Sequence, residues 1–280
     1  MRLANVAGRA TLVLSNETGA DVHQASNGRF GPGLPDIFET WPEFVEWVRT
    51  SPRLIAVPFR RQDLQAPSPE PGQIFAIGMN YGEHAREVGL GVPEGFPPVF
   101  TKFRSSLSGP DTQVALPPSG KTDWEVELVV VIGRITHDVQ PENAWEHVAG
   151  LTVGQDLSER ITQMRPPSPQ FSLGKSYPGF APTGPWLVSA DDLDNRDDLG
   201  LGSELDGETV QASRTSDLLF SVPELVSGLS RILTLYPGDL IFTGTPSGVG
   251  TGRTPERFIQ PGQHLRSWIH GIGELHQSFA

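Results

Sequence analysis

The stretch Lys121-Thr-Asp-Trp-Glu-Val-Glu-Leu-Val-Val-Val-Ile-Gly-Arg134 decides the fold, because it carries two glutamates into a run with the composition of an interior strand. Leu128 to Ile132 is an unbroken apolar run closed by Gly133, too short and too β-branched for a helix. Side chains alternate along a strand, so Glu125 and Glu127 share one face, about 7 Å apart, and Trp124, Val126 and Leu128 share the other. Two like charges on one face of an interior strand call for a cation, and carboxylate oxygens suit Mg²⁺, Mn²⁺ or Ca²⁺ better than Zn²⁺. The alternative is that the pair opens a solvated amphipathic strand, as most acids are exposed.

A chain of 280 residues fits one large domain, or one domain with a small appendage. The balance of 21 Lys+Arg against 33 Asp+Glu gives a net charge of −12, which argues against nucleic acid or anionic lipid as partners and favours small molecules and metal ions. Cysteine is absent, so disulfides, zinc thiolates and thiol nucleophiles are excluded. Arg9 interrupts the apolar run from Val6 to Leu14, which argues against a secretory leader. With no run of membrane-spanning length, the expectation is a soluble, cytoplasmic protein. The 31 glycines and 26 prolines point to a β-rich fold with many turns.

Residues 1–66 read as a small N-terminal α+β domain, and 67–280 as the main, catalytic one. Short strands are expected at Arg2–Val6, Thr11–Leu14 and Asp21–Ala25, then a helix opened by the capping-box pattern Thr40-Trp-Pro-Glu43, with Trp41, Phe44, Val45 and Val48 on its packing face. Gln65 to Gly72, rich in Pro, Ser and Gly, reads as a linker. Further strands are expected at Ile74–Ile77, Val99–Lys102, Trp124–Ile132, Leu151–Gln155, Pro185–Val188 and Leu240–Thr243. Leu205-Asp-Gly-Glu208 marks a hairpin. Ser221-Val-Pro-Glu224 caps a helix whose Leu225, Val226, Leu229, Ile232 and Leu233 form a core stripe.

Four further segments could carry chemistry. Gly78 to Gly89 follows a strand and reads as a short helix with Asn80 as N-cap. On it His84 and Glu87 are neighbours, so the carboxylate can hold one imidazole nitrogen and leave the other free to take a proton; an incidental surface pair is the alternative. Leu90 to Pro98 has the composition of a loop that orders over substrate. Asp156, at the end of the strand in Gly150-Leu-Thr-Val-Gly-Gln-Asp156, is either a third carboxylate ligand or a helix N-cap. Arg160 and Gln163 lie one turn on, facing either a common site or solvent. Lys175, in an apolar and Gly/Pro stretch with no acid near it in sequence, is a candidate for gripping a substrate carboxylate or an enolate oxygen. Asp239 to Gly250 runs from strand into a Gly-rich loop that lacks the ending of a phosphate loop; it is a plain turn, or a close backbone approach to a ligand with Thr245 donating its hydroxyl.

The order and wording of these segments resemble the fumarylacetoacetate hydrolase family over about residues 72–252. Asp-Trp-Glu-x-Glu-Leu at 123–128, Gly-Lys-Ser at 174–176 and Phe-Thr-Gly-Thr-Pro-x-Gly-Val-Gly at 242–250 carry the likeness. The resemblance implies a mainly β, α+β fold, a mixed β-roll with few helices, usually a homodimer. It implies Mg²⁺ or Mn²⁺ (Ca²⁺ in a crystal) held by Glu125, Glu127 and Asp156, with His84 and Glu87 as a catalytic dyad on a lid and Lys175 assisting. Arg160, Gln163, Thr245 and, from a Phe-x-Lys segment, Lys102 would bind a small keto acid. Many relatives carry an aromatic then Asp after Gly-Lys-Ser, whereas Tyr177 here precedes Pro178, and the 180–188 run looks most like members acting on diketo sugar acids. The implied activity is metal-dependent hydrolysis of a carbon–carbon bond in a 2,4-diketo acid, of acylpyruvate or diketo-deoxy sugar acid type. Decarboxylation of oxaloacetate-like acids or keto–enol isomerisation would use the same enolate chemistry, and a non-catalytic metal-stabilised binding protein is the reading from another class.

Overall fold

The strand Val126–Ile132 is buried along its whole length, and its neighbours explain why, apart from Glu127, its sequence is apolar without alternation. In this computed structural model, which describes residues 1–50, 52–89, 91 and 93–280, it pairs antiparallel with Val148–Gln155 on one side and Leu240–Phe242 on the other. Val126, Leu128, Val130 and Ile132 join one apolar cluster, and Val129 and Val131 join another. A strand covered on both faces reads as a continuous hydrophobic run. The first cluster packs the large sheet against a second sheet and the helix Val222–Ser230; the second packs it against the helices Leu34–Glu39 and Trp41–Arg49.

The large sheet runs, in spatial order, Val57–Pro58, Thr18–Asp21, Arg9–Val13, Arg2–Val6, Ala181–Val188, Val148–Gln155, Val126–Ile132, Leu240–Phe242, Ile74–Ile77 and Val99–Thr101. The second sheet holds Glu208–Arg214, Gly200–Leu205, His264–Ile269, Gly273–Phe279 and Asp111–Val114. Most pairings are antiparallel, but Leu240–Phe242 lies parallel to Ile74–Ile77, so the architecture is the mixed, sheet-dominated α+β fold expected. Residues 1–66 are tied to the rest by sheet hydrogen bonding, since Arg2–Val6 pairs with Ala181–Val188. Residues expected to be linker are partly core: Ala66 and Ser68 are buried, and the Ser68 hydroxyl donates to the Gly238 carbonyl at 2.6 Å.

Several local expectations are corrected. Asp21–Ala25 is the end of a strand plus the short helix Val22–Ala25, because the Asp21 carboxylate accepts the Gln24 N–H at 2.9 Å and starts a helix there. Thr40 does precede a helix, but its hydroxyl donates back to Asp36 O at 3.1 Å, so the capping box is not formed. Asn80 is not an N-cap. The helix is Gly82–Glu87, and the Asn80 amide instead ties two loops, donating to Phe220 O and Thr243 O and accepting from Phe220 N. The Ser221 box is formed, with Ser221 N donating to Glu224 at 2.8 Å. Its helix ends at Ser230, however, and Ile232, expected in the core, is 76% exposed. The hairpin turns at Asp206 and Gly207, both at positive φ. Of the expected lid loop, Leu90 and Val92 lie outside the described residues.

Candidate functional site

Three acids meet where two paired strands begin and end. Register places Val126 opposite Gln155, so the residues just beyond, Glu125 and Asp156, are also neighbours, and the Asp156 N–H donates to the Glu125 carbonyl at 2.9 Å. Glu125 itself lies outside the regular strand, its N–H donating to the Gln155 side chain at 2.8 Å. Glu125, Glu127 and Asp156 are all buried and each offers an oxygen within 4.8 Å of the others. That spacing suits one shared ion with oxygen ligands at about 2.0–2.6 Å. The donor set, all hard carboxylate oxygens, fits Mg²⁺, Mn²⁺ or Ca²⁺.

Cations surround the cluster. Lys175 Nζ donates to Glu125 Oε2 at 2.6 Å and Asp156 Oδ2 at 2.7 Å, so the lysine with no acid near it in sequence has two in space. Arg160 bridges Glu125, at 2.7 Å, and Asp123, at 2.7 and 2.9 Å, and its Nη1 donates to Gln163 Oε1 at 2.8 Å. Lys102 is placed beneath the cavity wall, its Nζ donating to Asp156 Oδ1 and the Lys175 carbonyl. There it braces Asp156 and Lys175, which departs from the substrate contact implied by the resemblance.

Four carboxylates (Asp123, Glu125, Glu127, Asp156) therefore face three cations (Lys102, Arg160, Lys175). The imbalance falls on Glu127. Burial, then repulsion from Asp156 and Glu125, pushes its pKa well above the ordinary glutamate range. Burial also pushes Glu125 up, but Lys175 and Arg160 outweigh it and hold its carboxyl well below the usual range. Burial lowers the Lys102 pKa; it would lower that of Lys175 too, but Asp156 and Glu125 reverse the direction.

The Gly-rich loop after Leu240–Phe242 turns its amides onto the protein's own acids. Gly244 N donates to Glu127 at 2.7 Å, Gly248 N to Glu87 at 2.9 and 3.1 Å, and Gly250 N and Thr251 N to Asp123 at 2.6 and 2.9 Å. The glycines permit this closeness: a Cβ on Gly252 would lie 2.3 Å from Glu87 Cγ. Thr245 lines the cavity, but its hydroxyl already donates to Val126 O at 2.9 Å and accepts from Gln211 at 2.8 Å.

His84 Nδ1 lies 3.4 Å from Glu87 Oε2, with Glu87 anchored from behind by Gly248. His84 shares one cavity of about 230 Å³ with Glu125, Glu127, Arg160, Gln163, Lys175 and Thr245. The remaining wall includes Ile77, Val88, Phe100, Met164 and Phe171. Seven of the ten expected site residues line this cavity, and the other three sit behind them, Glu87 against His84 and Asp156 between Lys175 and Lys102. Missing from the sequence reading are Asp123 and Gln211. Asp123 is fully buried and orients Arg160. Gln211 is tied to Val126 N, Thr245 and Pro246. Asp123 stands inside the decisive stretch, but its partners at 160, 250 and 251 are too distant in sequence to signal its role.

Comparison with known proteins identifies the fold and the family. The pattern of the Fumarylacetoacetate (FAA) hydrolase C-terminal family matches residues 73–280. Human oxaloacetate tautomerase FAHD2A, mitochondrial, is 37% identical over 94% of this chain and 85% of its own length. A crystal structure from Mycobacterium smegmatis, provisionally designated HpcE, superposes with a TM-score of 0.95 at 53% identity over 100% of this chain and 99% of that one. Fumarylpyruvate hydrolase from Pseudomonas aeruginosa, solved with Mn²⁺ and pyruvate, gives a TM-score of 0.68 at 34% identity over 74% of this chain and 89% of that one. Relatives of these kinds are enzymes, and among the described residues no helix is long and apolar enough to cross a membrane. With a matched pattern over most of its length and a buried acid triad at the matching motif, the chain belongs to the fumarylacetoacetate hydrolase family.

Proposed function

We propose that the chain is a divalent-metal-dependent enzyme that enolises a 2-oxo acid and moves a proton at the carbon next to the keto group. The observation that carries this reading is His84, held by Glu87, in the same cavity as the Glu125, Glu127 and Asp156 cluster. A bound divalent ion supplies positive charge for the developing enolate oxygen. Arg160 and Gln163 bind the acid's carboxylate end, and Lys175 adds a second positive charge at the oxygen. His84 takes the C3 proton and returns it, with Glu87 fixing the ring orientation. Several relatives matched over 80% or more of their length, human and bovine among them, are named as oxaloacetate tautomerases, which favours proton transfer as the outcome.

Hydrolysis of a 2,4-diketo acid is the second reading, favoured by the relative named fumarylpyruvate hydrolase. Here His84 would deprotonate water for attack on the remote carbonyl, and cleavage would give a keto acid plus a carboxylate. One assay separates the two. The Mg²⁺- or Mn²⁺-loaded protein is incubated in D₂O with oxaloacetate and with an acylpyruvate, following deuterium at C3, loss of the enol absorbance, and pyruvate. Exchange and enol loss without stoichiometric cleavage are expected. Cleavage matching enol loss would transfer the assignment to hydrolysis, and neither signal would overturn both. His84→Ala should lower the rate by roughly 10²-fold or more while metal binding persists; near-normal turnover would remove His84 from the role.

A further inference from the structure

Arg160 has less to offer a ligand than its place on the cavity wall suggests. A guanidinium carries five N–H donors, and the protein's own groups take all but one of them. Nε and one Nη2 hydrogen go to Asp123 Oδ2, at 2.9 and 2.7 Å, the other Nη2 hydrogen to Glu125 Oε1 at 2.7 Å, and one Nη1 hydrogen to Gln163 Oε1 at 2.8 Å. What remains is a single Nη1 hydrogen, beside the Gln163 amide nitrogen, which has no hydrogen bond among the described residues. An ionised carboxylate presents about four lone-pair sites on its two oxygens, so this pair of donors satisfies it from one side only.

The Gly-rich loop supplies a donor for the other side. Thr245, whose hydroxyl the resemblance assigns to substrate, has that hydroxyl committed to Val126 O and Gln211. Thr251 stands further along the same loop, in the short turn Gly250–Gly252, half-buried and on the cavity wall. Its N–H donates at 2.9 Å to Asp123 Oδ2, the oxygen that also holds Arg160 Nε and Nη2, so one buried acid seats threonine and arginine next to each other. The turn is pinned on both flanks, since Gly250 N donates to Asp123 Oδ1 at 2.6 Å and Gly252 packs against Glu87. The Thr251 hydroxyl itself takes no hydrogen bond among the described residues.

We propose that Thr251 is a substrate-binding residue, its hydroxyl donating to the 2-oxo acid carboxylate that Arg160 Nη1 and the Gln163 amide grip from the adjoining side. This rests on the reading of the cavity as a 2-oxo acid site and adds a contact to it. A donor on a pinned turn is ordered before the ligand arrives, so little of its contribution is lost to ordering on binding.

The test is calorimetric binding of pyruvate to the Mg²⁺-loaded protein and to its Thr251→Val and Thr251→Ser variants. Both variants keep the backbone N–H that Asp123 accepts and alter a partly exposed side chain, so both should fold. Valine removes the donor at similar size, and pyruvate affinity should fall about tenfold, the scale of a hydrogen bond to a charged group. Serine keeps the donor and should bind pyruvate nearly as the unaltered protein does. Mn²⁺ titration separates contact from distortion: Thr251→Val should bind the ion as tightly as the unaltered protein. Undiminished pyruvate binding to Thr251→Val, a serine variant as weak as the valine one, or a parallel loss of Mn²⁺ affinity would overturn the proposal. Failure of the unaltered, metal-loaded protein to bind either pyruvate or oxaloacetate would instead overturn the 2-oxo acid reading beneath it, and this proposal with it.

Discussion

Glu127 is the acid in the site with the least positive charge facing it, lying beside two other acids while Lys175 and Arg160 are spent on Glu125, Asp156 and Asp123. Two pH effects follow from its raised pKa. Metal binding must displace its proton, so Mn²⁺ affinity should rise with pH across the interval up to the raised value, with proton release measurable by calorimetry in buffers of different ionisation enthalpy. For the metal-free protein the sign is opposite. The folded state holds a proton the unfolded glutamate has lost, so this contribution to stability is complete below the ordinary glutamate range and fades as pH climbs through the folded pKa. The melting temperature of chelated protein should therefore fall over that window, and Glu127→Gln should flatten the fall. A pH-independent Mn²⁺ affinity would contradict the account. At this scale the acids, His84, Arg160 and Lys175 were legible because each stands in a local wording with a chemical requirement. Asp123, Gln211 and the amides of residues 244–251 were not, because their roles exist only when segments well separated in the chain are brought together.

The helix Val222–Ser230 shows how an element can encode a contact its own pattern hides. Its capping box and apolar stripe are readable in sequence, but Gly228 at mid-helix costs about 0.5–1 kcal/mol relative to alanine with no local reason. The reason is Phe96, from the loop following the His84 helix: a Cβ on Gly228 would lie 2.1 Å from its ring, which also packs edge-on to Phe220 at 6.0 Å. Gly228→Ala is thus expected to leave the melting temperature unchanged or slightly raised, while protease cutting within 93–98 accelerates as Phe96 is evicted. A large loss of melting temperature with no change in cutting would refute that separation. Where the helix ends was less legible, because apolar Ile232 continues the stripe while the chain has already turned at Ser230.

Across the whole molecule, β-rich composition and strand positions were readable, but the order of strands was not, since the joins of Arg2–Val6 to Ala181–Val188, Val126–Ile132 to Leu240–Phe242, and Leu240–Phe242 to Ile74–Ile77 link segments distant in sequence. Residues 1–66 illustrate the consequence. Their composition suggests a separate unit, yet Phe38, Trp41 and Phe44 pack in one cluster with Val129, Val131 and Leu240. Removing buried aromatics costs about 3–5 kcal/mol each, against a total stability of about 5–15 kcal/mol, and truncation would also uncover the Ala181–Val188 strand. A chain starting at residue 67 should accordingly be insoluble or lack a cooperative melting transition; a soluble, cooperatively melting truncation would show the segment to be dispensable. Because the acid cluster joins the ends of strands from the centre of this sheet, metal binding should stabilise the whole, by about 2.7 kcal/mol at a hundredfold excess over Kd. The most direct measurement is Mn²⁺ titration of the chelated protein and of Glu125→Gln, Glu127→Gln and Asp156→Asn, followed by calorimetry and electron paramagnetic resonance. The account predicts about one ion per chain, with each substitution weakening binding by at least the roughly 10- to 100-fold that loss of even an outer partner costs. Undiminished binding when all three acids are replaced together would contradict it.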